Sequence, residues 1–202
     1  MSYQLLKHDV LFYQRFLKAN GFLTGRLTGT WGAETDAADA AFIQQSEIIK
    51  QQNGAADARS ESNIITLIPK AQIAARKFLS ILKAAGKDVR IISGTRTYAE
   101  QDALYKQGRN GNTQPKVTNA KGGQSNHNFG IAWDIGLFEN GKYLTSDTKY
   151  KQLPALVLPQ LPELEWGGNW ISFQDVPHYQ LKAVSENVAT VRGLFENGSS
   201  YV

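Results

Sequence analysis

The chain has 202 residues, enough for one medium domain or for one ordinary domain and a smaller one, and its 42% hydrophobic content is typical of a soluble globular protein. Lys and Arg number 22 against 18 Asp and Glu, and the net charge of +4 is spread without a basic run, so no nucleic-acid partner is expected. Cysteine is absent, which excludes disulfides, cysteine nucleophiles and thiolate metal sites, so any metal must be held by His, Asp or Glu.

Residues 1–50 predict a small helical module. Apolar residues at helical spacing predict an amphipathic helix over residues 5–20. Residues 22–32 are dense in Gly and Thr and predict a turn-rich loop. A second helix is expected over residues 33–48, which would complete a compact helix-loop-helix unit.

The N-terminal sequence MSYQLLKHDVLFYQRF is interrupted by charged and polar residues, so it lacks the apolar stretch of a signal peptide. No run in the sequence approaches the length of a membrane span. We therefore expect a protein that is made in the cytoplasm, is not inserted in a membrane, and acts elsewhere only after release or delivery. A monomer is expected, although no feature of the sequence decides the oligomeric state.

The polar, small-residue stretch QQNGAADARSE at residues 51–61 predicts a linker, and residues 62–202 predict a second domain. In that domain, helical patterns flank a strand that ends at Gly94, and a long polar loop leads to a strand in GIAWDIGLF. Helices and strands are mixed without regular alternation. The sequence therefore predicts an α+β domain with a small mixed or antiparallel sheet and flanking helices, preceded by the small helical domain.

The segment SNHNFGIAWDIG, residues 125–136, carries the first candidate site. The alternation of its strand places large apolar residues on one face and Asp134 among small residues on the other. A buried carboxylate without a partner is costly, so Asp134 needs a cation or several donors, and His127 at the entrance of the strand can reach the same space. The two faces consist of Ile131, Trp133, Ile135 and Leu137, and of Gly130, Ala132, Asp134 and Gly136.

His178, in QDVPHYQL, is the second candidate. Asp175 would point away from His178 on a straight strand, but Pro177 bends the entry and can bring Asp175 back beside it. Two histidines and an aspartate form a three-ligand set for zinc that leaves a fourth position open for water, as in catalytic sites. Zinc lowers the pKa of that water to about 7, and Asp175 is then the candidate general base.

A structural account of the same residues stays open at this point. In that account His127 is a loop residue, His178 is a hydrogen-bonded core histidine and Asp134 stabilises a turn. His8, the remaining histidine, lies on the N-terminal helix and is assigned no chemistry. Taken singly, each residue favours the structural account, and only the combined pattern argues for a metal site.

The pattern S-x-H-x-x-G-x-A-x-D, followed by D-x-x-H, is present in full. With SGTRTYAEQDALYKQGR and WGGNW, it resembles the zinc peptidases of the D-alanyl-D-alanine carboxypeptidase and L-alanyl-D-glutamate endopeptidase family, and the likeness covers residues 62–182. The resemblance implies one zinc ion per chain, held by His127, Asp134 and His178, with Asp175 as the base. The motif residues are Ser125, His127, Gly130, Ala132 and Asp134, then Asp175 and His178.

The same resemblance implies that Arg96 binds a substrate carboxylate or the developing oxyanion, which suits a rigid guanidinium fork. A surface ion pair is the alternative for Arg96. The resemblance also implies that Ser125 hydrogen-bonds the substrate or orients its loop. Asp rather than Glu at position 175 is a feature of the endopeptidase branch, as is WGGNW.

Residues 21–32 contain G-F-L-T-G and T-G-T-W-G and resemble the peptidoglycan-binding-like helical domain of many wall hydrolases. Thr28 departs from that pattern, since the family usually has Asp before the second loop glycine, and any small helical module could look similar. Together the resemblances imply a cell-wall hydrolase with peptidoglycan as its partner, either a phage endolysin or a delivered effector, that cleaves the stem peptide between L-Ala and D-Glu. The alternatives are a D,D-carboxypeptidase that removes terminal D-Ala and a non-catalytic wall-binding protein that keeps zinc for stability.

Overall fold

The computed structural model describes residues 7–171 and 173–202. The N-terminal part of the described chain contains two helices. Helix α1 spans Val10–Ala19 and is capped by the Asp9 carboxylate, which accepts a hydrogen bond from the Phe12 backbone N–H. Helix α2 spans Ala33–Asn53. Both predicted helices are confirmed over these residues, although α2 continues past its predicted end, and residues 5–6 of the first prediction lie outside the described residues.

A small antiparallel sheet follows. Its strands are β1 Asp88–Ser93, β2 Ala132–Glu139, β3 Lys142–Tyr143, β4 Leu164–Trp166 and β5 His178–Leu181. The strand order is β1-β2-β5-β4, β3 pairs with the end of β2, and every pairing is antiparallel. The predicted α+β class with a small antiparallel sheet is therefore confirmed.

The apolar face of β2 packs on helix α4, which spans Pro69–Ala84. Phe78 of α4 contacts Trp133 and Tyr179, with ring centroids 6.0 and 4.6 Å apart. Trp133 and Ile135 are fully buried, which confirms the predicted core face of this strand. The remaining helices are α3 Ala58–Ile64, α5 Tyr98–Lys106, α6 Asp147–Tyr150, α7 Pro154–Val157 and α8 Val188–Glu196.

The stretch predicted as a linker, residues 51–61, contains the end of α2, a short loop and the beginning of α3. Helix α3 lies against strand β1 at the edge of the sheet. Ser60 Oγ accepts a hydrogen bond from the Ile91 backbone N–H at 2.9 Å, and Asn63 Nδ2 donates to the Ile91 carbonyl oxygen at 3.1 Å. The polar side chains here therefore satisfy backbone groups at the sheet edge.

Buried residues on both sides of this stretch form one continuous core. Phe16 of α1 and Phe42 of α2 belong to the same cluster as Phe78 and Trp133. The division into residues 1–50 and 62–202 stays a prediction, but the apolar faces of the two parts are shared. Across the described ranges, no helix combines the length and apolar character that crossing a membrane demands.

Candidate metal centre and active site

Two paired strands and the turn before β2 position three possible metal ligands. Asp134 on β2 lies opposite His178 on β5 in the antiparallel register. His127 lies in a 3-10 turn, Asn126–Phe129, just before β2. Gly130 links the turn to the strand with a left-handed φ of 69°, which favours glycine because other residues are strained there. This reversal brings His127 over Asp134.

The ligand atoms of these three residues form an equilateral triangle. His127 Nε2, His178 Nδ1 and Asp134 Oδ1 are each 3.2 Å from the other two. Ligands bound at about 2.0–2.1 Å to a tetrahedral metal lie about 3.3 Å apart, so this spacing fits a metal held by all three atoms. Among the described residues, no other group of three His, Asp or Glu side chains converges in this way.

Hydrogen bonds on the far side of each imidazole ring determine which nitrogen faces the triangle. His127 Nδ1 lies 2.8 Å from the Gly94 carbonyl oxygen, and His178 Nε2 lies 2.9 Å from Gln180 Oε1. Both partners are acceptors and lie closer to the rings than Asp134 Oδ1, which is 3.2 Å from the other nitrogen of each ring. Each neutral ring therefore places its N–H toward the closer acceptor and directs the lone pair of its other nitrogen into the triangle. Two lone pairs and a carboxylate at one point form the donor set of a divalent metal site.

Glycine is required at position 94 for the first of these bonds. A Cβ there would lie 2.5 Å from Thr66 Oγ1 and 2.6 Å from the Asn63 carbonyl oxygen. With glycine, the chain leaves β1 in close contact with the end of α3 and the residues that follow it, and the Gly94 carbonyl oxygen reaches His127 Nδ1. The Ser93-Gly94 turn therefore orients the His127 ring through this hydrogen bond.

Burial and mutual contact shift the pKa of each ligand. Burial raises the pKa of Asp134, but the charges and hydrogen bonds of His127, His178 and Arg96 outweigh it and hold that pKa well below its usual range. Burial and the Arg96 charge lower the pKa of His127 to about 4. Burial also disfavours charged His178, but the hydrogen bond and charge of Asp134 leave its pKa raised. At neutral pH, Asp134 is thus ionised and His127 neutral, the forms that bind a metal.

Asp175 lines the same cleft as the three ligands, at the bend predicted before β5. A turn at Pro177 precedes the strand. The Asp175 N–H donates to the Gly167 carbonyl oxygen at 3.0 Å, and the His178 N–H donates to the Asp175 carbonyl oxygen at 3.2 Å. Burial and the charge of Asp134 raise the pKa of the Asp175 carboxyl group. A carboxylate with a raised pKa beside a metal site is suited to act as a general base.

The WGGNW segment packs against Asp175. Strand β4 ends at Trp166, and Gly167–Asn169 form a 3-10 turn. A Cβ on Gly167 would lie 2.7 Å from the Asp175 carbonyl oxygen, and a Cβ on Gly168 would lie 2.1 Å from the Trp166 indole. Both glycines are therefore needed for the close packing that positions the candidate base.

Arg96 follows β1 and lies in the site rather than in a surface ion pair. Its Nη2 donates to Asp134 Oδ2 at 3.3 Å, and its side chain is only 12% exposed. The Arg96 backbone N–H donates to the His127 carbonyl oxygen at 3.1 Å. Burial lowers the pKa of the guanidinium, while the charges of Asp134 and Asp175 act in the opposite direction. Arg96 therefore supports Asp134 directly, a contact that the motif alone did not indicate.

The cleft above the ligands has a volume of about 990 Å³. Ser125 lines it, but makes no side-chain bond that caps the following turn, and its substrate contact stays a prediction. Trp170, Asn126 and Gln180 also line the cleft and were not predicted as site residues. The Trp170 ring lies 4.8 Å from the His178 ring. For Gln180, the one available signal was its place on the same strand face as His178. The exposed His8 lies outside the cleft.

The chain is similar to a family model and to two known proteins. Residues 64–158 match the family model VanY, D-alanyl-D-alanine carboxypeptidase. The chain is 40% identical, over 114 aligned positions, to the peptidoglycan L-alanyl-D-glutamate endopeptidase CwlK of Bacillus subtilis (strain 168), and the match covers 50% of this chain and 66% of the relative. A structural match to the L-Ala D-Glu endopeptidase ChiX of Serratia marcescens has a TM-score of 0.48 and 26% identity, and covers 62% of this chain and 87% of that chain.

Proposed function

We propose that the chain, whose residues 64–158 match the family model VanY, D-alanyl-D-alanine carboxypeptidase, is a zinc-dependent peptidoglycan hydrolase that cleaves the stem peptide between L-Ala and D-Glu. The observation that carries the proposal is the triangle of His127, Asp134 and His178 with its mutual distances of 3.2 Å, at the base of a cleft that also contains Asp175. The family match ends before Asp175 and His178. The position of these two residues in the cleft therefore supports the proposal separately from that match.

The donor set fits zinc. Two imidazole nitrogens and one carboxylate oxygen are common zinc ligands, and three protein ligands leave the fourth tetrahedral position open, as in catalytic sites. When bound, zinc supplies Lewis-acid chemistry that makes a water more acidic and polarises a carbonyl. A purely structural site needs no base, so Asp175 beside the ligands supports catalysis over a non-catalytic wall-binding role.

The residues of the chain then have separate tasks. Asp175 accepts a proton from the attacking water and delivers it to the nitrogen of the leaving amine. Arg96 uses one donor on Asp134 and keeps other N–H groups of its fork for a substrate carboxylate or for the oxygen that becomes negative during attack. Ser125, in the wall of the cleft, is proposed to hydrogen-bond the substrate.

The choice of scissile bond is supported by the 40% identity to an L-alanyl-D-glutamate endopeptidase. Asp at position 175 and the WGGNW segment, which both resemble the endopeptidase branch, also support cleavage at this bond. The D,D-carboxypeptidase alternative is favoured by the description of the family model. An endopeptidase must accept chain on both sides of the scissile carbonyl, whereas a carboxypeptidase must bind a terminal carboxylate.

Mass spectrometry of purified peptidoglycan after digestion tests this choice. We expect glycan strands that retain L-Ala and freed peptides with a new D-Glu amino terminus. Activity should disappear with a chelator and return with one equivalent of zinc, whereas His127→Ala should bind zinc more weakly than the parent. Free D-Ala, with the stem still attached to the sugar, would replace the endopeptidase by the carboxypeptidase.

The place of action forms part of the same proposal. A stem-peptide hydrolase must meet the wall, so we propose that the protein acts there after release, as an endolysin does, or after delivery as an effector. Residues 1–50 are then a candidate for wall contact. The chain spans 66% of the length of CwlK, so the activity of the whole protein is also part of the proposal.

A further inference from the structure

A series of hydrogen bonds connects His178, on the side of its ring that faces away from the other proposed ligands, through Gln180 to Glu165. His178 Nε2 lies 2.9 Å from Gln180 Oε1, and Gln180 Nε2 donates to Glu165 Oε2 at 2.7 Å. Gln180 on β5 is only 6% exposed and lies opposite Glu165 on β4 in the antiparallel register. The sheet therefore holds the three side chains in line.

The orientation of the Gln180 amide, and with it the direction of these hydrogen bonds, is determined by Glu165. A side-chain amide has a donor end and an acceptor end, and rotation by half a turn exchanges them, whereas a carboxylate only accepts. With its amide reversed, Gln180 would direct an oxygen at Glu165 and an N–H at His178. The 2.7 Å contact with Glu165 excludes that orientation, because two acceptors would then face each other.

The other neighbour of Gln180 cannot fix its direction. Asn126 Nδ2 also donates to Gln180 Oε1, at 2.8 Å. However, Asn126 Oδ1 is buried without a hydrogen-bond partner among the described residues, so Asn126 can turn with Gln180 and offer its oxygen instead. Of the two neighbours, Glu165 is therefore the one that fixes the orientation of the Gln180 amide.

We propose that Glu165 and Gln180 are positioning residues that set the tautomer of His178, and thereby keep a lone pair on Nδ1, the nitrogen that faces the metal. Without the Glu165 carboxylate, Gln180 can present its N–H group to the ring, which moves the proton of the neutral imidazole to Nδ1. A protonated Nδ1 cannot bind a metal. The inference rests on the proposed metal site and extends it to a residue on another strand.

The direct test is the tautomer of His178 in metal-free, ¹⁵N-labelled protein. Long-range ¹H–¹⁵N NMR spectra, recorded at a pH where the ring is neutral, distinguish the two tautomers. The parent should carry its proton on Nε2, and Glu165→Gln should show a mixture or the Nδ1–H form. Zinc affinity of the same variant, measured by competition with a chromophoric chelator, should fall about 10- to 100-fold.

The control is Glu163→Gln, which removes the same charge from an exposed position two residues before Glu165 on the chain. It should leave the tautomer and the zinc affinity as in the parent. The double variant Glu165→Gln/Gln180→Glu exchanges the ends of the pair, so that a carboxylate on β5 accepts from both the imidazole and the amide on β4. It should restore the Nε2–H tautomer and most of the affinity, which a general packing role for the pair would not predict.

An unchanged tautomer in Glu165→Gln would overturn the inference, as would a parent that carries its proton on Nδ1. Neither result would affect the proposed cleavage of peptidoglycan. Conversely, a parent that cleaves no stem peptide would contradict the proposed function, whereas the inference would still stand if Glu165→Gln shifted the tautomer and weakened zinc binding. The two proposals therefore fail separately.

Discussion

The two aspartates of the site differ in their surroundings, and this difference separates their roles. Asp134 contacts two histidines and an arginine, which hold its pKa well below the usual range despite burial. Within the part of the chain that the structure describes, the Asp175 carboxyl group makes no such ion pair, and burial together with the charge of Asp134 raises its pKa against the opposing charges of His178 and Arg96. Two carboxyl groups whose pKa values are moved apart in this way can serve as a permanent anion and as a proton acceptor. This difference supports the proposed roles of Asp134 as metal ligand and Asp175 as general base.

Replacing Asp175 by Asn tests this assignment. Asn keeps the size of the side chain but cannot accept the proton, so kcat should fall by about two decades or more. Zinc content and thermal unfolding should stay near those of the parent, because Asp175 is not one of the three convergent ligands. Full activity in this variant, measured on soluble stem peptide, would place the base elsewhere.

Replacing Arg96 by Lys tests the guanidinium fork. Lys keeps the charge but cannot bond Asp134 and a substrate group with the same planar geometry. We expect kcat/KM to fall at least about tenfold, on the scale of one charged hydrogen bond. Because Nη2 contacts Asp134 Oδ2 at 3.3 Å, zinc affinity must be measured in parallel. A loss of activity at saturating zinc identifies a substrate role, and an unchanged kcat/KM would refute it.

At the scale of elements, the sequence predicted the features that depend only on residues close together in the chain. Alternation along β2 separated the core residues from Asp134, and Pro177 predicted the bend that brings Asp175 into the cleft. Helix α3 was not predicted, because its first residues, 58–61, lie in the polar, small-residue stretch that was predicted as a linker, and the hydrogen bond of Ser60 Oγ with the edge of β1 forms only in the folded chain. The pair of Gln180 and Glu165 likewise depends on the β4–β5 register, which no motif in the sequence encodes.

The turn after β4 offers a test at this scale. In Gly167→Ala, the new methyl group would meet the Asp175 carbonyl oxygen at 2.7 Å, so the backbone that carries the base must move. A displacement of about 1 Å can cost 10²-fold in rate, and we expect a loss of kcat of that order. Because the same methyl group would lie 3.0 Å from His178 Cβ, kcat is measured at saturating zinc. The matched control is Gly193→Ala in α8, where a Cβ meets no atom within 4 Å.

The control should keep full activity and gain up to about 1 kcal/mol of stability, because alanine is the better helix former. Thermal unfolding and kcat measured on both variants separate the two expectations. If Gly167→Ala retains the kcat of the parent, the close packing of WGGNW does not position the base.

For the whole molecule, the N-terminal helices and the C-terminal end both contact the loop that carries His127. A Cβ on Gly130 would lie 2.8 Å from the Phe16 ring, so α1 packs directly on the reversal before β2. From the other end of the chain, Tyr201 Oη donates to the Phe129 carbonyl oxygen at 2.6 Å. Residues 1–50 therefore support the loop that carries His127 of the candidate metal site whether or not they also touch the wall, and the two predicted domains should not unfold separately.

Phe16→Ala tests this coupling. The ring is fully buried and packs edge-on against Phe42, with centroids 5.3 Å apart, so its removal should cost about 3–5 kcal/mol. Because the same ring supports Gly130, we expect the loss to appear equally in hydrogen exchange of helix α2 and strand β2, with zinc bound more weakly. Ile48→Ala on the outer face of α2, where the side chain is 37% exposed, should change stability by less than about 0.5 kcal/mol and leave zinc affinity intact. If Phe16→Ala accelerated exchange in α2 alone, with β2 and zinc affinity unchanged, residues 1–50 would be a module independent of residues 62–202.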